Sequence, residues 1–448
     1  MPTRRLAWLL VTLLGCSSSS AGSYSAPQGS GDGSAADAQG DGGTEDAEVD
    51  SGVDGAAHDA TGDGVGIVLP EGSADGSGAR DATTDGAGDS SITEDAGPHA
   101  PLPSVTLHGS GVMTNIKLVS LVASNDTNGT TLLSFGDALV ASQWWKTVSA
   151  PYGAGPFASH TKLTGAALTS NVTIDQIETF ITTTLTAQSQ PSPDGSTLYM
   201  VHLPQNVWVI DPTNNQPNTD CDLYGGFHYY DVNDTSFIWA ISQQCPMGGG
   251  IPGLTTPLQA ATMVASHEIL EAATDVHGTD GWNLDCGNDD PPNCTPWYYV
   301  PAAPGEVGDL CAWTVTNEAG FVFTRVWSNA AAAAGGDPCV PAAAAPYVSA
   351  GTAQSWYSIA AGQTLQVPVT GWAPSAAPTW QIYSYAGYDP KSEFTIAPNA
   401  FESLGVGSTT TFSVSAPSTA ASGDFVVVDV ASYTSSEIHP WAVGFYVP

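Results

Sequence analysis

The chain has 448 residues, which is enough for two ordinary domains and a tail. Its 8 Lys and Arg residues stand against 44 Asp and Glu residues, so the formal net charge is −36 and the isoelectric point lies near 4.1. A surface with this charge repels nucleic acid and attracts divalent cations. The composition therefore argues against nucleic-acid binding and is compatible with a metal site.

The first 16 residues predict export. Arg4 and Arg5 precede an apolar run at residues 6–14, and Gly15 stands directly before Cys16. This order is typical of a signal peptide, and the small residue before Cys16 resembles the lipobox of bacterial lipoproteins, in which the cysteine is lipidated. We expect an extracytoplasmic protein that a lipid on Cys16 anchors to the outer membrane or cell surface. A cleaved signal peptide and a short anchor helix are the alternatives, although a bilayer span needs about 20 residues.

Residues 17–103 form an acidic segment of Gly, Ser, Ala and Asp in which Arg80 is the only Lys or Arg. Because low hydrophobicity with like charges cannot offset the entropy of ordering, the composition predicts a disordered tether. Pairs such as Asp32-Gly33 hint at calcium loops, but none has the spacing of a known calcium loop.

Residues 104–341 change character and predict an α+β domain. Apolar runs predict strands at residues 116–122, 197–203, 207–210, 227–230, 236–241 and 321–327. Residues 131–148 predict a helix, and Thr173 is a suitable cap for another helix in which Ile174, Ile177 and Ile181 fall at helical spacing.

A further helix over residues 258–273 is the centre of this domain. Thr256 is a suitable cap and Pro257 suits the first turn, whereas Asp275 follows the last turn. The run between them is rich in Ala, Leu, Met, Ile and Glu and contains no Gly or Pro. Apolar neighbours predict that the helix is buried on most sides.

This helix contains a candidate metal site. His267 and Glu271 are four residues apart and therefore lie on one face, with Glu268 beside them. The pattern is that of an H-E-x-x-H zinc site with a carboxylate in place of the second histidine. A solvated polar stripe is the alternative, but buried carboxylates need a partner.

A third ligand is expected from beyond the helix. Glu306 and Asp309 are three residues apart and precede Cys311, which would pin them in place. Asp275 at the end of the helix is a third candidate. The choice among Glu306, Asp309 and Asp275 depends on distances in the folded chain, which the sequence does not give.

Six cysteines besides Cys16 fall in this region, and an even number in an exported protein predicts disulfides. They are Cys221, Cys245, Cys286, Cys294, Cys311 and Cys339. A cysteine zinc site is disfavoured because no C-x-x-C pair occurs. Six cysteines allow fifteen pairings, so the sequence leaves the connectivity open; pairing of nearest neighbours would give Cys221–Cys245, Cys286–Cys294 and Cys311–Cys339.

Residues 342–448 contain no cysteine and predict an all-β domain. Short runs with alternating polarity occur at residues 355–359, 364–370, 379–383, 409–415, 424–430 and 441–447, separated by Pro and Gly turns. This spacing predicts an immunoglobulin-like sandwich. We interpret it as a spacer or adhesion module.

Residues 104–339 resemble the exordium family, also called phosphate-induced proteins and best known from plant cell walls. The matching motifs occur in the family's order: Trp144-Trp145-Lys146-Thr147, Thr197-Leu198-Tyr199, Gly226-Phe227-His228-Tyr229, Gln244-Cys245-Pro246, His267-Glu268-Ile269 with Glu271, Gly281-Trp282, Glu306 with Asp309, Val326-Trp327-Ser328 and Cys339. The chain departs from the plant pattern in its tether, its Asp-rich loop at residues 285–290 and its fused sandwich, so a plant growth role is not carried over.

The resemblance implies an exported, wall-associated protein with a zincin-like domain. In such a site His267, Glu271 and either Glu306 or Asp309 would hold Zn²⁺, and Glu268 would take the proton from the attacking water. His228 or Tyr229 could stabilise the oxyanion.

Two functions of different class follow from this resemblance. The first is a surface-anchored zinc hydrolase, most simply a peptidase. The second is a non-catalytic module that binds wall polysaccharide or protein. Two carboxylate ligands weaken the Lewis acidity of a metal and also suit Ca²⁺, which would then be structural.

Overall fold

The computed structural model describes residues 99–210, 217, 225–231, 234–245, 253–278, 280–284, 286, 291–299, 305–312, 314–391, 393–398 and 400–448. The predicted signal peptide, Cys16 and nearly all of the predicted tether lie outside these residues, as do Cys221 and most of the Asp-rich loop. The described chain is mixed α+β, with many strands and few helices.

The first part of the described chain contains the helices. In chain order its elements are β1 (Thr106–Leu107), β2 (Ile116–Ala123), α1 (Gly129–Ala141), α2 (Gln143–Ser149), β3 (Phe157–Gly165), α3 (Ile174–Ala187), β4 (Thr197–His202), β5 (Gly226–Asp231), β6 (Asp234–Ser242), α4 (Pro257–Thr274), β7 (Trp282–Asn283), β8 (Val315–Glu318), β9 (Phe321–Thr324), β10 (Val326–Trp327), α5 (Asn329–Ala333) and β11 (Cys339–Val340).

The remaining elements are all strands. They are β12 (Ser349–Gly351), β13 (Trp356–Ser358), β14 (Thr364–Trp372), β15 (Trp380–Tyr388), β16 (Thr395–Ala397), β17 (Glu402–Leu404), β18 (Thr409–Ser415), β19 (Phe425–Tyr433), β20 (Ile438–His439) and β21 (Ala442–Tyr446).

A five-stranded sheet organises the first part, in the order β3-β2-β4-β6-β5. The pairs β2–β3, β2–β4 and β4–β6 are parallel, whereas the edge strand β5 runs antiparallel to β6. The two faces of β2 enter different cores: Leu118 lies in the same core as Ile269 of α4, whereas Leu121 lies in the same core as Ile181 of α3. The sheet therefore lies between α4 on one face and α3 on the other.

The ends of α3 and α4 agree with the sequence. Thr173 caps α3 in a capping box with Gln176, and Thr256 caps α4 in the same way with Gln259. Helix α4 then runs from Pro257 to Thr274, and its residues 260–274 are all buried. Apolar side chains on every side and a capped start account for a helix that lies in the core.

Three details of the sequence-based prediction were wrong. The single helix expected at residues 131–148 is two helices, because Ser142 is extended (ψ 151°) and its side chain caps α2 at Trp145. The strand expected at residues 321–327 breaks at Arg325, between β9 and β10. Residues 207–210 form no strand, and only Val209 and Ile210 form isolated bridges.

The strands after residue 348 form two sheets. One has the order β12-β14-β18-β16, and the other has β13-β21-β19-β15-β17 with β20 on β19. Val367 and Phe412 of the first sheet share a core with Val428 and Phe445 of the second. The expected all-β character is confirmed, and the immunoglobulin-like assignment stays a prediction.

Within the described residues, the longest apolar helices fall short of what a membrane span requires.

Candidate metal centre

Helix α4 places the predicted ligands in the interior. His267 and Glu271 lie one turn apart, and His267 Nε2 is 3.0 Å from Glu271 Oε2. Both residues are buried, with exposed fractions of 7% and 2%. Their neighbours Ala265 and Ile269 pack into the core against the sheet. The helix periodicity expected from the sequence therefore brings the two side chains to one point.

The loop at residues 305–312 brings the third side chain of this group. Asp309 Oδ1 lies 3.4 Å from His267 Nε2, and Asp309 Oδ2 accepts a hydrogen bond of 3.1 Å from the amide of Glu306. His267, Glu271 and Asp309 each offer one donor atom, and these atoms all lie within 4.8 Å of one another.

Backbone amides of the same loop orient Glu271. The N–H groups of Gly308 and Asp309 both donate to Glu271 Oε1, at 3.1 Å each. The other oxygen, Oε2, faces His267. Gly308 lies so close that an added Cβ would be 2.6 Å from Glu271 Oε1 and 2.8 Å from His267 Nδ1.

A second group of buried histidine and carboxylate side chains lies where α4 faces the edge strand β5. His228 Nδ1 is 3.7 Å from Glu268 Oε2, and His228 Nε2 is 3.9 Å from Glu306 Oε1. All three residues are buried. His228, Glu268 and Glu271 also offer donor atoms within 4.8 Å of one another.

Tyr229 and Asp275 are not brought into either group. Tyr229 lies opposite Trp239 across the strand pair, and the two rings are 5.0 Å apart on the α3 side of the sheet. Successive residues of a strand face opposite sides, so His228 and Tyr229 cannot both face α4. Asp275 accepts hydrogen bonds from the Gly281 amide (2.9 Å) and the Asn283 side chain (2.7 Å), which makes it a clamp for the chain after α4.

The electrostatics of the cluster reflect its burial. Burial disfavours the charged form of His267, but the negative charges of Glu271 and Asp309 outweigh it and raise the pKa of His267 well above its usual value. Burial raises the pKa of Glu268 to about 7, with His228 opposing, and raises the pKa of Asp309 to about 6, with Glu271 adding to the effect.

The Lys and Arg side chains of the described residues lie elsewhere. Lys117, Lys162, Arg325 and Lys391 pair with carboxylates outside the cluster, and Lys146 is exposed. Glu268, Glu271, Glu306 and Asp309 are nevertheless all buried. Buried carboxylates without a cation cost several kcal/mol. A donor set of imidazole and carboxylate therefore fits a divalent metal ion, either Zn²⁺ or a harder ion.

Disulfides hold the loops around the cluster. Cys311 bonds to Cys339 and Cys286 bonds to Cys294, as nearest-neighbour pairing predicts. Cys245 is also disulfide-bonded, whereas Cys221 lies outside the described residues. The Cys311–Cys339 bond joins the end of the loop at residues 305–312 to β11.

Sequence reasoning missed two features of the site. The amides of Gly308 and Asp309 carry no side-chain signal, although a glycine between two acidic candidates is an indication of close packing. The approach of Glu306 to His228 joins residues 78 positions apart, and spacing along one element cannot predict it.

Comparisons with known proteins leave the family open. No family model and no curated protein matches the chain. Domain 1 of VCBP3 from Branchiostoma floridae is 12% identical and covers 23% of this chain and 96% of its own, with a TM-score of 0.16. A beta-glucosidase from Listeria innocua is 11% identical over 77% of this chain and 48% of its own, also with a TM-score of 0.16. Neither likeness carries an argument about fold or function.

Proposed function

We propose that this chain is a zinc-dependent hydrolase, most simply a peptidase, whose metal ligands are His267, Glu271 and Asp309. One observation carries the proposal: His267 Nε2 lies 3.0 Å from Glu271 Oε2 and 3.4 Å from Asp309 Oδ1. Donor atoms that share a tetrahedral zinc ion at about 2.0–2.2 Å are about 3.3–3.5 Å apart. His267 stands close to that spacing from each of the two carboxylates.

The residues of the chain would then have separate roles in catalysis. Bound zinc supplies a Lewis acid that polarises the substrate carbonyl. Glu268 accepts the proton of the attacking water and returns it to the leaving group. His228 lies on the edge strand β5 and faces Glu268 of α4. It would donate a hydrogen bond to the oxygen that becomes negative in the transition state. Tyr229 has no role in this scheme because it faces the other side of the sheet.

The edge strand β5 supports a peptide as substrate. It ends the order of the five-stranded sheet, and among the described strands only β6 pairs with it. An extended peptide can add to such an edge through main-chain hydrogen bonds. A peptide bound there would pass His228 and hence the side of α4 that carries Glu268.

We propose an exordium-like, zincin-like domain for residues 104–341 and an immunoglobulin-like module for residues 342–448. A sheet with an antiparallel edge strand, followed by the helix that carries His267 and Glu268, supports the first assignment. Two packed β-sheets support the second.

We propose that the protein acts outside the cytoplasm on a lipid anchor at Cys16. The disulfides Cys286–Cys294 and Cys311–Cys339 support an oxidising compartment. Cells fed a labelled fatty acid are expected to label the protein, and the Cys16→Ala variant is expected to lose the label. A label of equal strength on that variant would remove the anchor from the proposal.

A second candidate is a non-catalytic surface module that binds wall polysaccharide or protein. The donor set favours it in one respect, since two of the three ligands are carboxylates. Oxygen-rich sets suit Ca²⁺, which would hold the loop to α4 and take no part in chemistry.

Elemental analysis and a peptidase assay on the purified protein test the first proposal. We expect about one zinc ion per chain, lost in His267→Ala and Glu271→Ala because each removes a ligand. We expect Glu268→Gln to retain that zinc and to lose hydrolysis by roughly 100-fold or more, since it removes only the base. His277→Ala, which removes a histidine outside both groups, is the matched control and is expected to behave as the native chain.

Two results would contradict the hydrolase. A folded native protein that holds calcium and no zinc would favour the structural ion. Full hydrolysis by Glu268→Gln would show that the activity arises elsewhere.

A further inference from the structure

The two donor groups around α4 overlap at one side chain. His267, Glu271 and Asp309 form one group, whereas His228, Glu268 and Glu271 form the other. Only Glu271 belongs to both. A single ion occupies one position, so the zinc centre proposed above leaves the second group without an ion.

We infer that His228, Glu268 and Glu271 form a second, weaker divalent-cation site, and that an ion bound there inhibits the hydrolase. The inhibition rests on the proposed function, because a Glu268 carboxylate that binds a cation cannot accept a proton. The binding of the second ion does not rest on it.

The charge of the cluster favours a second cation. Glu268, Glu271, Glu306 and Asp309 are at most 6% exposed, and the described Lys and Arg side chains pair elsewhere. When all four carboxylates are ionised, one divalent ion offsets two of their four negative charges. The remaining charge lies in an environment of low dielectric constant, where its attraction for a cation is much stronger than in water.

The geometry provides the ligands. His228 Nδ1 and Glu268 Oε2 are 3.7 Å apart, which is close to the spacing of two atoms on one ion. The other ring nitrogen, Nε2, faces Glu306 Oε1 at 3.9 Å. Histidines that bind metals commonly direct their second nitrogen to a carboxylate, which fixes the ring. Glu306 would orient His228 in this way.

The second site is expected to be the weaker one. It shares Glu271 with the first site, and Glu271 Oε1 already accepts two amide hydrogens. Two divalent ions on one carboxylate also repel each other. The site at His267 therefore fills first, and the site at His228 fills only at higher metal concentration.

Equilibrium dialysis against increasing free Zn²⁺, followed by elemental analysis of the full protein, tests the inference. We expect the native chain to rise from one bound ion to two. His228→Gln and Glu268→Gln are expected to stop at one, whereas His277→Ala follows the native chain. Circular dichroism of each variant shows whether it is folded.

The rate of hydrolysis is measured in the same zinc titration. Hydrolysis by the native chain is expected to fall by roughly 100-fold, the contribution of a general base, as the second ion binds. Whatever activity His228→Gln retains is expected to be insensitive to the same zinc concentrations.

The outcomes separate the two proposals. One ion at every zinc concentration, or a second ion that His228→Gln binds as tightly as the native chain, would overturn the second site and leave the hydrolase standing. Two ions in a protein that hydrolyses nothing would support the site and overturn the inhibition. A chain without bound zinc would overturn both.

Discussion

Glu271 is held at both of its oxygens. The amides of Gly308 and Asp309 fix Oε1, and this leaves Oε2 directed at His267. Two amide donors orient the carboxylate without bringing a cation that would compete with the proposed metal ion. The contact requires the backbone itself to approach α4, and Gly308 is the residue at that point. Its φ of −80° is open to any residue, so the constraint is the space beside it.

Gly308→Ala is therefore expected to weaken zinc binding. The added Cβ would lie 2.6 Å from Glu271 Oε1 and 2.8 Å from His267 Nδ1, so either the loop or both ligands must move. Loss of an orienting partner lowers metal affinity by about 10–100-fold. Competition with a zinc chelator measures this change. Gly195→Ala is the control, since an added Cβ there meets no atom within 4 Å; equal affinity of the two variants would contradict the role of Gly308.

The same residues show what the sequence can predict about the site. His267, Glu268 and Glu271 were identifiable because their relation is local and follows from the helix repeat. The choice among Glu306, Asp309 and Asp275 was not, because Asp309 and Glu306 find their partners on elements far along the chain, and Asp275 finds its partners in the loop and strand that follow α4. Asp309 faces His267, Glu306 faces His228, and Asp275 holds the chain after α4.

At the scale of elements, prediction succeeded where a local signal set the boundary. The capping boxes at Thr173 and Thr256 start α3 and α4 at the expected residues. It failed at Ser142 and Arg325, where an apolar pattern continues but the backbone turns. Ser142 uses its hydroxyl to start a new helix, and the break at Arg325 places a cation in the interior, where its partner Glu437 lies 112 positions further along the chain.

At the scale of the whole described chain, a buried ionic network joins the two predicted domains. Arg325 Nη1 donates to Glu437 Oε1 at 2.8 Å, and Arg325 also pairs with Asp337. His439 Nε2 lies 2.9 Å from Glu437 Oε2. The predicted boundary at residue 341 falls between Arg325 and Glu437, so this network crosses it. The rings of Trp297 and Trp441, 5.8 Å apart, cross the same boundary.

This network predicts that the C-terminal sheets stabilise the part of the chain that contains the candidate metal centre. Burial raises the pKa of Glu437, but the hydrogen bond from His439 and the charge of Arg325 outweigh it, and the net pKa is lowered from 4.5. A lowered pKa in the folded state means that the carboxylate contributes stability above its ordinary pKa. That contribution is lost as the pH falls through the lowered value.

Glu437→Gln is expected to destabilise the protein at neutral pH by about 1.5–3 kcal/mol, because it removes one of the two carboxylates that pair with the buried Arg325, while Asp337 remains. The free energy of unfolding from urea titrations measures this change. Because the native carboxylate becomes protonated in acid, the difference between the two proteins is expected to shrink as the pH falls below about 4.5. Lys391→Met, which removes an exposed pair with Asp424, is the control and is expected to change stability little. If Glu437→Gln were as stable as this control at neutral pH, the pair of Arg325 and Glu437 would contribute nothing measurable to stability, and the prediction would be wrong.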